Sequence, residues 1–192
     1  MKELLDEITS CNLCAKYLEL GPRPVMSAHP DSKLVIIGQA PGTRVHATGI
    51  PWNDPSGKNL RKWMQISDVD FYNPEKVAII PMGFCYPGKG KSGDLPPRQE
   101  CAPKWHQQLL DLMPNVRLTL LIGLYAQRYY LGDEMKSTLT ETVSNFREYL
   151  PEYLPLPHPS PRNNIWMKKN LWFEQEVLTD LREQVGKILE AD

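Results

Sequence analysis

Three short apolar runs constrain the fold more than any other feature of the chain. They are Leu34-Val35-Ile36-Ile37, Val77-Ala78-Ile79-Ile80 and Leu118-Thr119-Leu120-Leu121-Ile122. None alternates apolar with polar residues, as a strand with one wet face does. Continuous runs of this length mark strands covered on both faces, the situation of a parallel sheet. A fourth run, Tyr153-Leu154-Pro155-Leu156, reads as a weaker strand, because its proline cannot donate to a sheet ladder. Helical candidates separate the strands, at 2–9, 57–66, 101–112 and 124–131, with a long helix expected over 164–190. This alternation predicts an α/β fold: a three-layer α/β/α sandwich with a central four-stranded, mostly parallel sheet. Ligands of such sheets bind beyond the C-terminal strand ends. Three unusual loops fall there, at 38–42, 81–88 and 158–163.

The 192 residues suit a single domain, 1–192. A hydrophobic content of 41% and a charged content of 23% exclude wholesale disorder. No apolar run reaches the roughly 18 residues of a membrane span. The N-terminus mixes charges and lacks the apolar core of a secretory signal, so a cytoplasmic location is expected. The net charge of −1 means that any nucleic-acid binding must use local positive charge. Lys89, Lys91, Arg98 and Lys104 offer one such rim; Arg162, Lys168 and Lys169 offer another. The apolar face of the C-terminal helix reads as core rather than interface, and a monomer is expected.

Four cysteines stand out. Cys11 and Cys14 form a C-x-x-C, and Cys85 and Cys101 follow far along the chain. In an intracellular α/β protein such a set favours metal ligation over disulfides. It can supply a tetrahedral zinc site or a four-iron cluster, and ligand softness does not separate the two. Either group would pin the N-terminal helix to the long loop between Cys85 and Cys101, an architectural role.

Taken together, Cys11-Asn12-Leu13-Cys14, Gly38-Gln39-Ala40-Pro41-Gly42, Thr48-Gly49-Ile50-Pro51-Trp52, Cys85, Cys101 and His158-Pro159-Ser160 resemble the family-four iron–sulfur uracil-DNA glycosylases. Order and spacing agree from about residue 11 to residue 170. The stretch from His158 to Asn163 also resembles the matching loop of single-strand-selective uracil-DNA glycosylases. The resemblance implies a [4Fe-4S] cluster on Cys11, Cys14, Cys85 and Cys101, with zinc as the alternative. It implies a monofunctional hydrolase that cuts the N-glycosidic bond of uracil, or another deaminated or damaged base, in DNA during base-excision repair. His158 and Gln39 take the catalytic positions. Gly38, Ala40, Pro41, Gly42, Trp52, Met82 and Gly83 take the substrate positions, with Trp52 stacking on a base turned out of the helix. Ser160, Arg162 and Asn163 take the DNA positions, Arg162 as a wedge. His46 is the next histidine candidate after His158.

Two positions depart from the family pattern. Gln39 replaces a common glutamate and cannot act as a general base, though it can orient a water. Pro81 stands where the family has an asparagine that reads the uracil edge, and proline has no side-chain donor or acceptor. Backbone groups of Met82 or Gly83 are the expected substitutes. Two further readings share the same residues: a nucleic-acid-binding relative without base cleavage, and a hydrolase of nucleosides or other small molecules.

Overall fold

The computed structural model describes residues 1–190. Nine α-helices and six strands occur among them. In chain order they are α1 (Lys2–Thr9), β1 (Leu34–Ile37), α2 (Thr43–Thr48), α3 (Pro55–Met64), α4 (Asp68–Phe71), β2 (Val77–Ile79), β3 (Lys89–Gly90), β4 (Gly93–Asp94), α5 (Cys101–Asp111), β5 (Leu118–Ile122), α6 (Leu124–Leu131), α7 (Leu139–Ser144), β6 (Tyr153–Leu156), α8 (Asn164–Lys169) and α9 (Leu178–Glu190). Four strands form one sheet in the order β2-β1-β5-β6, and every pairing is parallel. Strands β3 and β4 make a separate antiparallel ribbon.

Successive strand residues point to opposite faces, and here both faces are buried. Leu34, Ile36, Leu118, Leu120, Leu154 and Leu156 pack against α3, α7 and α9. Val35, Ile37, Ala78, Ile80 and Leu121 pack against α1, α5 and α6. This is the expected three-layer sandwich. Strand β6 lies at an edge, where Pro155 faces Leu121 and leaves no second neighbour short of a donor. The opposite edge is closed by Ser27, which exchanges backbone hydrogen bonds with Ile79 at 2.7 and 2.9 Å.

The long helix expected over 164–190 is broken. After α8, Asn170 leaves helical geometry (φ −125°, ψ 66°), and its side-chain amide donates to the Trp166 carbonyl at 2.8 Å. Asparagine competes with the helical ladder in this way. A π-turn over Phe173–Val177 then resets the phase, so that Phe173, Val177, Leu178 and Leu181 all face the core. Helix α3 starts two residues earlier than expected. Asp54 caps it by accepting from the Gly57 N–H at 2.7 Å, and Pro55 occupies its first turn.

Candidate active site and thiol pocket

The loops beyond β1 and β6 face the start of α3 across one pocket. Gln39, Trp52, Asp54 and His158 line its partly exposed mouth. Gly38, Ala40, Pro41 and Gly42 form one wall. Deeper in, the buried side chains are Val25, Val45, Ile79 and Pro81.

Trp52 is held under constraint. Its φ is +54°, unusual for an aromatic residue, and its carbonyl accepts from Arg61 at 3.3 Å. Arg61 is itself fixed by Asp68 at 2.7 Å. A Cβ at residue 57 would sit 1.8 Å from the Trp52 carbonyl oxygen, and one at residue 38 would sit 2.8 Å from the Trp52 ring. Gly38 and Gly57 are therefore needed for close approach. The Trp52 and His158 rings lie 5.8 Å apart, tilted by 34°.

His158 sits between Pro157 and Pro159 at the end of β6. The Pro159 carbonyl accepts from Asn59 at 3.0 Å, and the His158 carbonyl accepts from Asn163 at 2.6 Å. Burial pushes the imidazole below its ordinary pKa of 6.5, and the Asp54 carboxylate partly opposes that shift. The ring is thus neutral at neutral pH, able to donate one hydrogen bond without carrying charge. Behind it, the buried Gln127 amide on α6 donates to the carbonyls of Leu121 (3.2 Å) and Leu156 (2.9 Å), tying β5 to β6.

Pro81 lines the pocket, but Met82 and Gly83 do not. Met82 is buried in the core beneath α5. The Met82 and Gly83 N–H groups donate to the carbonyls of Gly38 (2.8 Å) and Gln39 (3.0 Å). They lock one loop to the other and are not free to replace a missing asparagine. The Pro81 carbonyl is also engaged. It faces Nε2 of the buried His106 at 3.0 Å, while the His106 Nδ1 meets the Tyr130 hydroxyl at 2.7 Å. With Pro81 as acceptor, Nε2 carries the proton and Nδ1 accepts from Tyr130.

Gln39 and His158 also border a second recess, with Tyr125, Asn163 and Trp166. The Ser160 hydroxyl accepts from the Arg162 N–H at 3.3 Å, and the Arg162 side chain is exposed beside it. Lys89 and Lys91 project from the β3–β4 ribbon, exposed. Arg98 is turned elsewhere: it forks onto Glu100, covers the Tyr17 ring at 4.1 Å and lines the cysteine pocket. His46 lies outside the pocket on α2, its ring 6.0 Å from Tyr86.

Cys11, Cys14, Cys85 and Cys101 line one pocket on the other side of the β2 loop, with Leu18, Pro22, Pro24, Phe84 and Trp105. All four are free thiols. Burial pushes Cys85 up to about 11 and Cys101 up to about 12, against backbone N–H donors from Arg23 and Phe84. Among the described residues, no three His, Cys, Asp or Glu side chains are placed so as to hold a metal ion as they stand.

A family model described as the uracil DNA glycosylase superfamily matches residues 26–182, which hold the fold and the mouth of the pocket. The chain belongs to the uracil DNA glycosylase superfamily. It is similar to a protein of Sulfurisphaera tokodaii named Type-4 uracil-DNA glycosylase, with 20% identity over 167 residues, 83% of this chain and 74% of the relative. It is also similar to a solution structure from Methanosarcina acetivorans described as a candidate uracil DNA glycosylase. That match has 14% identity and a TM-score of 0.48, over 82% of this chain and 93% of the other.

Within this superfamily member, Asp54 is the polar pocket residue that the sequence motifs pass over. Its signal was present as the capping signature Asp54-Pro55-Ser56-Gly57, which announces a helix start beside Trp52.

Proposed function

We propose that the chain is a DNA base-excision hydrolase, cleaving the N-glycosidic bond of uracil or a related altered base turned out of DNA. The observation that carries this reading is the meeting of Gln39, Trp52, Asp54 and His158 at the mouth of one pocket. The base enters beside the Trp52 ring. As the bond between the base nitrogen and C1′ breaks, its electron pair moves onto the base, and the neutral His158 imidazole donates to the base oxygen that gains charge. The Asp54 carboxylate faces the positive charge left on the sugar. A water adds to C1′ and releases its proton to solvent. The Gln39 amide orients that water but takes no proton.

Ser160, Arg162 and Asn163, with Lys89 and Lys91, form the rim that meets DNA, Arg162 reaching into the vacated stack. Those phosphate contacts make binding salt-dependent. The protein works as a monomer and a single domain, 1–192, in the cytoplasm.

The cysteine pocket is read as the seat of a [4Fe-4S] cluster. Its support is the donor set: four unpaired thiols around one largely apolar pocket. Four thiolates can serve zinc as well as a four-iron cluster, and the cluster is preferred because the cysteine motifs resemble those of the iron–sulfur glycosylases. Such a group would tie the end of α1 to the loop after β2 and the start of α5.

Release of free base from uracil-containing oligonucleotides, single- and double-stranded, tests the reading. His158→Ala is expected to lower the rate by about 10²–10³. Salt-sensitive DNA binding with no base released would favour a non-cleaving relative. Turnover of free nucleosides without DNA affinity would favour a small-molecule hydrolase.

A further inference from the structure

Resting on the glycosylase reading, we infer that this pocket selects bases whose pairing edge is masked by carbon, that is, bases alkylated at their hydrogen-bonding positions. The polar side chains of the pocket, Gln39, Asp54 and His158, all stand at its partly exposed mouth. A base attached to deoxyribose must point its glycosidic nitrogen toward that mouth. The opposite end of the ring, which carries the pairing groups, then reaches the deep lining.

That lining offers only carbon from its side chains: Val25, Pro41, Val45, Ile79 and Pro81, all buried. The backbone groups beside those deep side chains are largely in use. The Val25 N–H donates to the Phe84 carbonyl at 2.8 Å, and both polar groups of Ile79 are bonded to Ser27. Pro81 has no N–H, and its carbonyl is held from behind by His106. The Met82 and Gly83 N–H groups are consumed by Gly38 and Gln39.

A base with an ordinary pairing edge would lose its water there without gaining partners, and an unpaired buried polar group is costly. A base bearing a methyl or a fused carbon ring at that edge leaves fewer groups unpaired and adds apolar contact. Such a base also pairs poorly in duplex DNA, so turning it out costs less.

The test compares uracil, N3-methyluracil and 3,N4-ethenocytosine in single-stranded oligonucleotides, where pairing strength drops out. N3-methyluracil is the sharpest probe, because it differs from uracil by one methyl and leaves through the same nitrogen. The wild-type protein is expected to release it with kcat/KM at least about tenfold above uracil, the effect of sparing one unpaired buried group. Pro81→Asn, which adds a donor and an acceptor at the deep end, should reverse the order. Pro81→Ala, which keeps a carbon side chain, should preserve it. Uracil released as well as or better than N3-methyluracil by the wild type overturns the inference and leaves the glycosylase reading standing. Release of none of the three overturns both. Should Pro81→Asn fail to fold, the wild-type ratio decides alone.

Discussion

The two pockets differ in how they are held. The base pocket is shaped by its own chain. Gly38 and Gly57 admit the Trp52 ring and carbonyl, Asp54 caps α3, and the carbonyls of Pro159 and His158 are tied by Asn59 and Asn163. The thiol pocket gathers three distant segments, and its Phe84, Cys101 and Trp105 also belong to the core that α1 joins. Its own buried cluster holds only Cys14, Leu18 and Cys85. A pocket held by backbone geometry can lose one side chain and keep its form. One lined by thiols from three segments is completed by whatever group bonds them.

Breaking that contrast most severely is a single cysteine substitution. Cys101→Ala should abolish the visible absorbance of anaerobically purified protein and destabilise it by more than ~4 kcal/mol, a range reached when a metal site is lost. His158→Ala, by comparison, should leave both absorbance and melting temperature near wild type. A colourless wild-type protein, or a Cys101→Ala variant as stable as its parent, would remove the contrast.

His106 is the physical link between the two regions. It sits on α5, the helix that Cys101 opens, and it holds the Pro81 carbonyl at the floor of the base pocket. Burial depresses its pKa from 6.5 to about 4. The unfolded chain therefore takes up this proton as pH falls below about 6.5, whereas the folded protein resists until about 4. Stability rises with pH wherever the unfolded state binds more protons, so the His106 contribution is intact above 6.5 and lost progressively toward 4. The shift corresponds to roughly 3 kcal/mol. Urea denaturation across this window should show the loss, and His106→Gln should flatten the slope by about one proton. An unchanged slope in the variant would show that His106 does not couple to folding.

Much of this organisation was legible in the chain itself. The apolar runs identified every strand of the main sheet, because a parallel sheet buried on both faces needs continuous apolar segments. The four cysteines and the 38–42 loop were legible by residue type. The C-terminal break was not. Trp166, Phe173 and Leu181 fit one long helical stripe on paper, but Asn170 bonding back to Trp166 and the following π-turn change the phase. The roles of Met82 and Gly83 were hidden for a related reason. Sequence places both beside the pocket, yet hydrogen bonds to Gly38 and Gln39 decide that they serve the loop rather than the ligand. Asp54 was hidden in plain view, since a capping aspartate reads as structure until the fold sets it opposite His158.

The last contrast separates those two duties of Asp54. Asparagine caps helices about as well as aspartate, so Asp54→Asn should keep the bond to Gly57 and change stability by less than about 0.5 kcal/mol. It removes only the charge. With the carboxylate gone, the sugar cation loses its counter-charge, and base release should fall about tenfold, equivalent to ~1.4 kcal/mol. The same change removes the influence that raises the His158 pKa. The acid limb of the pH–rate profile, set where His158 takes up a proton and ceases to be neutral, should therefore move to lower pH in the variant. Asp54→Ala should lose the cap as well, at about 1 kcal/mol, and so lower the melting temperature where Asp54→Asn does not. A rate and a pH profile unchanged in Asp54→Asn would confine Asp54 to its helix cap. Equal stability losses in both variants would mean that the asparagine does not preserve the cap, and the rate would then report structure rather than charge.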